Sequence, residues 1–329
     1  MIKLEVDLVE QIPQLRRMSA TERAKEKEEI NSVVSGKNLL VTGGANGLGS
    51  AFVKVFLQHD INKVTIIDVD NVKGQMSASA INKTAGYEKA TYIRADVTKH
   101  EEMIDAFKKS SEAMDGIDIV INNAGILDER RWEREIAVNI NGNVSCALLA
   151  IEHMAMDKGG RGGVLINVAQ HCNSETSAQL PIYTATKWAT IGFSKALGTS
   201  HQFEKKGIRI ITLCPGLTET ALTIDGPNKL LSRVMKADFV KNLEQLPIQT
   251  PFAVAKGLMT ILCSGEHGSI WVIENGAHPY EACIPEPQAL RRTFKDNYAM
   301  DQEVQHVKKK LARDNHENTQ APIGLATCG

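Results

Sequence analysis

A glycine-rich segment constrains this chain more than any other feature, because it joins a short apolar run directly to a helix-like segment. It reads TGGANGLG from Thr42 to Gly49 and follows the apolar run Asn38 to Val41. Glycines let the backbone turn tightly and approach a ligand, and the amides at a helix N-terminus attract phosphate. After the first strand of a β-α-β unit, such a loop predicts a dinucleotide site. The predicted contacts are Thr42, Gly43, Asn46, Gly47, Leu48 and Gly49.

Short apolar runs alternate with longer amphipathic segments from Lys37 onward. The runs are Asn38 to Val41, Val64 to Ile67, Ala90 to Ile93, Ile117 to Ile121, Val164 to Val168, Ile208 to Leu213 and Ile270 to Ile273. Unbroken apolar runs are typical of strands buried on both faces, and helices between strands indicate parallel crossovers. We therefore predict an α/β fold with a single Rossmann-type, doubly wound parallel sheet of about seven strands flanked by helices.

The ends of the chain differ from this central region in charge and in residue pattern. We predict a charged N-terminal extension at residues 1–36, the main domain at 37–283, and a charged tail at 284–329 that is partly helical and then disordered. Acids and bases alternate at i, i+4 spacing from Glu22 to Glu29, which predicts a helix. We interpret this helix as a solvated appendage, and a partner-binding helix is the alternative.

Charge and cysteine usage restrict the partners and the compartment. A net charge of −1 gives no electrostatic basis for binding nucleic acid or an anionic membrane. The six cysteines show no CxxC pair and no metal-ligand spacing, so we predict no metal site and a reducing compartment. Neither a signal peptide nor a run of transmembrane length is apparent, and we therefore expect a cytoplasmic protein.

Tyr183 and Lys187 stand four residues apart in a segment that the pattern predicts to be helical. Four residues is about one helical turn, so the phenol and the ammonium group should be neighbours. A nearby cation favours the phenolate and lowers a tyrosine pKa towards neutral pH, which suits a group that exchanges a proton with a substrate oxygen. Taken alone, such a pair is more often a solvated helix edge.

Acidic and amide side chains stand at the ends of other predicted strands. The second strand ends at Asp68, whose carboxylate can accept hydrogen bonds from ribose hydroxyls and would repel a 2′-phosphate, which favours NAD over NADP. Asp96, Val97 and Asn123 follow the third and fourth strands, at the sheet edge where open α/β folds bind ligands. Turn formation by Asp and Asn is the alternative there.

Taken together, these motifs resemble the classical short-chain dehydrogenase/reductase family from about Lys37 to Gly276. The residues that carry the resemblance are TGGANGLG, Asp68, Asp96-Val97, NNAG at 122–125, Asn139, YTATK at 183–187 and Cys214-Pro215-Gly216. Within that family, residues 122–143 and 268–271 are most similar to 15-hydroxyprostaglandin dehydrogenases and insect-type alcohol dehydrogenases. Those are NAD-dependent enzymes that oxidise secondary alcohols.

The resemblance implies a role for each matching residue. Tyr183 would be the acid/base, Lys187 would lower its pKa and hold the nicotinamide ribose, and Asn139 would position a water in a proton relay. The implied cofactor contacts are the adenosine ribose at Asp68, the adenine side at Asp96, Val97 and Asn123, and the nicotinamide amide at Pro215, Gly216, Thr218 and Thr220. A homodimer through two long helices, roughly 141–156 and 183–204, is also implied.

The chain departs from the family pattern at Gln170, thirteen positions before Tyr183, where the family has a serine that holds the substrate oxygen. The glutamine amide can donate hydrogen bonds but is longer than serine, and His171 is a second possible donor unless it faces solvent. Two hypotheses follow. The chain is an NAD-dependent dehydrogenase in which Gln170 replaces the serine or its loss is tolerated, or it is a cofactor-binding protein with impaired or lost catalysis and a structural or regulatory role.

The segment after Gly216 is predicted to cover the substrate, as the family resemblance implies. Apolar residues recur at helical spacing between Leu230 and Leu243, which indicates an amphipathic lid. Such a lid favours a small apolar alcohol or ketone as substrate, while ordinary packing against the core is the alternative.

Overall fold

The computed structural model describes residues 19–170, 178–199, 203 and 205–284 of the chain. Its centre is a sheet in the strand order β3-β2-β1-β4-β5-β6-β7-β8. The strands are β1 Asn38–Thr42, β2 Lys63–Asp68, β3 Ala90–Arg94, β4 Ile119–Asn122, β5 Gly163–Val168, β6 Ile208–Pro215, β7 Ile270–Ile273 and β8 Tyr280–Glu281. The first seven are parallel, which confirms the predicted doubly wound sheet. The short β8 pairs antiparallel with β7 and was not predicted, because two residues carry no periodic signal.

Helices cover both faces of the sheet. They are α1 Ala20–Val34, α2 Gly47–Phe56, α3 Asn71–Ala85, α4 His100–Met114, α5 Trp132–Ile136, α6 Asn143–Met154, α7 Pro181–Gly198, α8 Ala221–Asp225, α9 Lys236–Gln245 and α10 Pro251–Ser264. A π turn at Ala137–Gly142 joins α5 to α6. No helix within the described ranges is long and apolar enough to span a bilayer.

The strands are mainly apolar because each face of the sheet has its own core. Leu39 and Val41 of β1 face a cluster that includes Phe52 of α2, whereas Leu40 faces the opposite cluster with Phe107 of α4. All five residues of β1 are buried. At about 25 cal/mol for each Å² of apolar surface removed from water, burial on both faces favours the continuous runs seen in the sequence.

The N-terminal helix is confirmed, but the interpretation of it as a solvated appendage is wrong for its second half. A capping box between Ser19 and Glu22 starts α1, and its first turns are charged and exposed. Ile30 and Val34 near its end are buried in the same cluster as Phe52. The last turns of α1 are therefore part of the core.

The described cysteines are free thiols that differ in burial. Cys146 and Cys214 are buried, Cys263 is partly buried and Cys283 is exposed, and all four are free thiols. Burial raises the pKa of Cys146 to about 12, so this thiol is unreactive at neutral pH. Cys172 and Cys328 lie outside the described residues, as do His171 and the predicted tail beyond Ile284.

The sheet order reverses between β1 and β4, whose carboxyl ends therefore diverge into loops on opposite sides. In an open α/β sheet, this topological switch point is where ligands bind. The glycine-rich loop follows β1, and the polar residues singled out in the sequence follow β2, β3, β4 and β6 at the same edge.

Candidate active site

The glycine-rich loop makes a close turn that larger residues could not form. Gly43 and Gly47 adopt positive φ angles of +64° and +49°. A Cβ on Gly49 would lie 2.1 Å from the carbonyl oxygen of Gly43, so only glycine allows the start of α2 to pack against the loop. Asn46 occupies the N-cap position but makes no side-chain cap hydrogen bond. The first amides of α2 therefore have no side-chain acceptor of their own at the predicted pyrophosphate position.

Asp68 ends β2 beside this loop. Its carboxylate accepts hydrogen bonds from the backbone N–H of Ala45 and of Asp70, each at 3.0 Å. Asp68 is only partly buried, at the carboxyl end of β2. Two backbone donors fix its orientation, which suits a group that must accept from ribose hydroxyls at a defined position.

Asn123 ties the end of β4 to the glycine-rich loop. Its side-chain amide donates to the carbonyl oxygens of Thr42 at 3.0 Å and Gly43 at 3.3 Å. The Thr42 hydroxyl in turn accepts from the backbone N–H groups of Asn123 and Ala124. Thr42 and Asn123 therefore brace the loop, and this bracing accounts for their polar groups without a ligand.

Asp96 uses its carboxylate for turn formation, as the alternative interpretation of its sequence position foresaw. One oxygen accepts from the backbone N–H of Thr98 at 3.0 Å and from its hydroxyl at 2.8 Å. The neighbouring Val97 packs against Gly142 in the π turn, where a Cβ would come within 2.7 Å of the valine. The contact with Gly142 places the loop after β3 against the π turn.

Tyr183 and Lys187 lie on one face of α7, and both are buried. The Lys187 Nζ atom is 5.6 Å from the centre of the Tyr183 ring and donates to the carbonyl oxygen of Val168 at 3.2 Å. Because Val168 ends β5, this bond fixes the ammonium group at the carboxyl edge of the sheet. The pair is therefore a buried cation beside a buried phenol and not a solvated helix edge.

Asn139 lies in the π turn next to this pair. Its amide exchanges two hydrogen bonds with the backbone of Ile126, each at 2.9 Å, and donates to the hydroxyl of Thr186 at 3.1 Å. A Cβ on Gly125 would lie 3.3 Å from the Asn139 Oδ1 atom and 3.4 Å from the Lys187 Nζ atom. The three residues thus converge on one point, where the missing side chain of Gly125 leaves room.

The sequence reasoning missed Glu129, which positions Tyr183. The side chain is fully buried, and its carboxylate accepts from the backbone N–H of Tyr183 at 2.8 Å and of Ile182 at 3.2 Å. Glu129 therefore caps the N-terminus of α7, where Pro181 provides no N–H. Burial raises the pKa of this carboxyl, and the two N–H bonds oppose the increase. No local sequence pattern reveals this cap, because 54 positions separate Glu129 from Tyr183.

Glu135 is a second buried acid that the sequence reasoning missed. It is fully buried on α5, and neither carboxyl oxygen has a hydrogen-bond partner in the described part of the chain. Burial, followed by the charge of Glu129, raises its pKa to about 7, while the backbone N–H of Asp128 and the charge of Lys187 oppose the increase. One sequence signal could have revealed Glu135. It precedes Asn139 by four residues, so the two side chains are expected on the same helix face.

A single cavity brings Tyr183 together with several of the predicted residues. Its lining includes Gln170, Tyr183, Leu48, Pro215, Gly216, Thr218 and Thr220. Gln170, the residue at the family's serine position, thus borders the same space as Tyr183. Asp68, Asp96 and Val97 lie away from this cavity, at the ends of β2 and β3.

The loop after β6 makes the far wall of the cavity. A Cβ on Gly216 would lie 2.6 Å from the Cβ of Glu274, so this position requires glycine. The Thr218 hydroxyl donates to the carbonyl oxygen of Gly216 at 2.8 Å, and Thr220 is the N-cap of α8. Both threonines thus have local hydrogen-bonding roles besides lining the cavity.

The predicted lid packs over Tyr183 and lines the cavity. Leu230 and Phe239 are buried in a small cluster with Tyr183, separate from the two sheet cores. Phe239 also lines the cavity, as do Leu127, Leu180, Leu222 and Leu243. Leu231 and Val234 are exposed instead, because the lid forms a 3-10 turn at Arg233–Met235 before α9 and does not continue as one helix from Leu230.

Comparisons with known proteins identify the family of this chain. Residues 37–230 match the family described as short chain dehydrogenase. The 15-hydroxyprostaglandin dehydrogenase [NAD(+)] of Rattus norvegicus is 30% identical over 70% of this chain and 87% of its own length. Alcohol dehydrogenase 1 of Ceratitis cosyra is 29% identical over 74% of this chain and 93% of its own.

Solved structures show the same fold at lower identity. A 3-ketoacyl-(acyl-carrier-protein) reductase from Brucella melitensis, complexed with NADH, is 24% identical with a TM-score of 0.59 over 74% of this chain and 98% of that chain. Levodione reductase is 20% identical with a TM-score of 0.62 over 74% of this chain and 98% of that chain. The family match covers more than half of this chain and spans the glycine-rich loop, Tyr183 and Lys187. The chain therefore belongs to the short chain dehydrogenase family of oxidoreductases.

Proposed function

We propose that the protein is an NAD-dependent dehydrogenase that interconverts an apolar secondary alcohol and its ketone, with Tyr183 as the acid/base. The observation that carries this proposal is the shared cavity, in which Tyr183, Gln170 and the glycine-rich loop residue Leu48 border one space. A proton-transfer group, a polar donor and the dinucleotide loop must meet in one place for such a reaction.

The residues present fit a dinucleotide. Close backbone approach at Gly43 and Gly49 and the uncapped start of α2 suit a pyrophosphate, and the oriented carboxylate of Asp68 suits a ribose with a free 2′-hydroxyl. The negative charge of Asp68 also favours NAD over NADP, because it would repel a 2′-phosphate. The relatives named as NAD(+) enzymes support the same choice. When bound, the nicotinamide supplies hydride transfer, and the protein supplies orientation and proton handling.

Tyr183 would remove the hydroxyl proton of the alcohol during oxidation and return it to the oxygen during reduction. The Lys187 ammonium group beside the ring favours the phenolate, and its bond to Val168 holds it there. Asn139 keeps the π turn joined to Ile126 and Thr186 and would position a relay water nearby. Pro215, Gly216, Thr218 and Thr220 would contact the nicotinamide amide, and Asp96, Val97 and Asn123 the adenine side.

The walls of the cavity favour an apolar substrate. Around Tyr183 they consist mostly of aliphatic and aromatic side chains, namely Leu127, Leu180, Leu222, Phe239 and Leu243. No charged residue lines this space among the described residues. The relatives named for a prostaglandin and for alcohols are consistent with an apolar alcohol as substrate.

Gln170 favours a second candidate function. Because a glutamine stands where the family has serine, the protein could bind NAD without turnover and act in a structural or regulatory role. Loss of one oriented hydrogen bond to a developing charge costs about 10² to 10³ in rate. Gln170 lines the cavity, so in the dehydrogenase its amide would donate to the substrate oxygen in place of the serine.

An assay of NAD reduction with a panel of apolar secondary alcohols separates the two functions. We expect turnover in the natural protein, a loss of about 10² to 10³ in kcat in Gln170→Ala, and no turnover in Tyr183→Phe. NADH affinity, measured by fluorescence titration with NADPH as the comparison, should be unchanged in Tyr183→Phe. If NADH binds but no alcohol turns over, and Gln170→Ser restores turnover, the dehydrogenase proposal fails and the second function stands.

The proposed assembly is a homodimer in the cytoplasm. Exposed apolar side chains support an interface on the helices that the family resemblance indicated, with Leu148 on α6 and Trp188 on α7 about half exposed at 50% and 47%. The free thiols support a reducing compartment. Analytical ultracentrifugation at micromolar concentration should show a dimer, and a monomer alone would contradict the proposal.

A further inference from the structure

We propose that Glu135 is a positioning residue that acts on Tyr183 through charge. In its protonated form it keeps a negative charge away from the Tyr183-Lys187 pair, and in its ionised form it opposes proton release from Tyr183. This inference rests on the proposed function only in treating Tyr183 as the group that exchanges a proton.

The position of Glu135 makes a fixed charge there unfavourable. It lies on α5, which packs against α7, the helix that carries Tyr183. The side chain is 0% exposed, and neither carboxyl oxygen has a hydrogen-bond partner of good geometry within the described residues, although the backbone N–H of Asp128 is close enough to oppose part of the rise in its pKa. A buried carboxylate without donors is strongly disfavoured, whereas the neutral acid avoids most of that cost.

The charged neighbours of Glu135 each have another contact. Glu129 accepts the backbone N–H groups of Ile182 and Tyr183, and Asp128 forms an ion pair with Arg131 at 2.6 Å. Lys187 attracts the Glu135 carboxylate but is bonded to the end of β5. Of the three clustered acids, Glu135 therefore has the least stabilised anion, and it is the one that holds a proton.

An ionised Glu135 opposes the formation of the Tyr183 phenolate, because the two negative charges repel each other. Burial and the charge of Glu129 raise the pKa of Glu135 to about 7, so its ionisation falls in the neutral range. A second anion close to Lys187 offsets part of the attraction that Lys187 exerts on the phenolate. Two like charges about 8 Å apart at an effective dielectric constant of about 20 repel each other by about 2 kcal/mol, which corresponds to a pKa shift of about 1.5 units.

Carbon-13 NMR titration of the labelled side chains tests this directly. The chain has only five tyrosines, so Cζ-labelled tyrosine gives few signals, and Tyr183→Phe assigns the one of interest. With Cδ-labelled glutamate, we expect one carboxyl that titrates near neutral pH and disappears in Glu135→Gln. In the same variant, the Tyr183 midpoint should fall by about 1.5 pH units. Glu133→Gln, on the exposed side of α5, is the matched control and should change neither titration.

The titration requires no turnover, so its outcome is independent of whether any alcohol is oxidised. The inference is overturned if Glu135 titrates with the exposed glutamates, or if the Tyr183 midpoint is the same in natural protein and Glu135→Gln. Glu135→Met provides a second neutral side chain. It should give the same downward shift of Tyr183, and a shift in only one of the two variants would exclude a charge effect.

Discussion

Two buried glutamates near Tyr183 have opposite electrostatic settings. Glu129 receives two backbone N–H groups at the start of α7, whereas Glu135 receives none among the described residues. A helix N-terminus carries a partial positive charge, which further favours an anion at Glu129. Identical side chains six positions apart thus differ in function, because one serves as a helix cap and the other as a titrating acid.

Removal of the Glu129 cap should destabilise the fold and slow the reaction. Glu129→Ala leaves the buried N–H groups of Ile182 and Tyr183 without an acceptor, which typically costs about 1–3 kcal/mol. We expect this loss in the free energy of urea unfolding, together with a lower kcat because the Tyr183 backbone is no longer fixed. The exposed Glu133→Ala should stay within about 0.5 kcal/mol of the natural protein, and equal stability of the two variants would contradict the cap.

Glu135 should make stability depend on pH in the neutral range. Its pKa is raised from 4.5 to about 7 on folding, so between these values the folded state binds more protons than the unfolded state. The free energy of unfolding should therefore fall as pH rises across this range and level off above it, by an amount on the order of 3 kcal/mol.

The measurement is the difference in unfolding free energy between Glu135→Gln and the natural protein. This comparison is needed because burial lowers the pKa of His59 and His153, and those groups contribute stability that increases with pH up to the ordinary histidine value. The difference should increase in favour of the glutamine variant from about pH 5 to about pH 8. A difference that does not change with pH would show that Glu135 has an ordinary pKa.

At the scale of elements, the site is assembled from the ends of strands and the starts of helices. β1 leads through the glycine-rich loop into α2, and β5 leads towards α7, whose Lys187 bonds back to the last residue of β5. The π turn between α5 and α6 widens the helix where Asn139 contacts Ile126. Each functional side chain is thus fixed by two elements. One element carries the side chain, and the other supplies its hydrogen-bond partner.

The contact between the loop and α2 can be tested at Gly49. The Cβ of Gly49→Ala would lie 2.1 Å from the Gly43 carbonyl oxygen, so α2 must move away from the end of β1. We expect a loss of about 1–3 kcal/mol in stability and a large loss of NADH affinity in a fluorescence titration. Gly192→Ala on α7 is the matched control, because its Cβ would have no atom within 4 Å. That change should be neutral or stabilising by up to about 1 kcal/mol.

At the scale of the whole molecule, the sheet separates two apolar cores, one on each face, which are covered by different helices. One face contains α1, α2 and α10, and the other contains α4 and α6. Tyr183 belongs to neither core but to the small cluster beneath the lid. The cluster around Tyr183 therefore depends on fewer apolar contacts than the sheet itself.

The burial of α1 predicts that the N-terminal helix contributes to global stability. Ile30→Ala should cost about 2–4 kcal/mol in urea unfolding, because it empties a position in the main core. Glu28→Ala, on the exposed part of the same helix, should change stability by less than about 0.5 kcal/mol. Equal effects of the two substitutions would restore the interpretation of α1 as a solvated appendage.

The sequence by itself determined the parts of this protein that depend on local pattern. Unbroken apolar runs predicted seven parallel strands, because burial on both faces leaves no exposed position in β1. The glycine-rich loop and the four-residue spacing of Tyr183 and Lys187 predicted the cofactor loop and a shared helix face, because backbone geometry and helical pitch are local properties.

Only the tertiary structure decided which side chains meet across the sheet edge. It packed Ile30 and Val34 into the core, and it brought Glu129 to the start of α7 across a loop that no local pattern specifies. It also buried Glu135 without a donor in the described part of the chain. The pKa of a buried acid depends on desolvation and on charges distant in sequence, so it becomes definite only when the chain is folded.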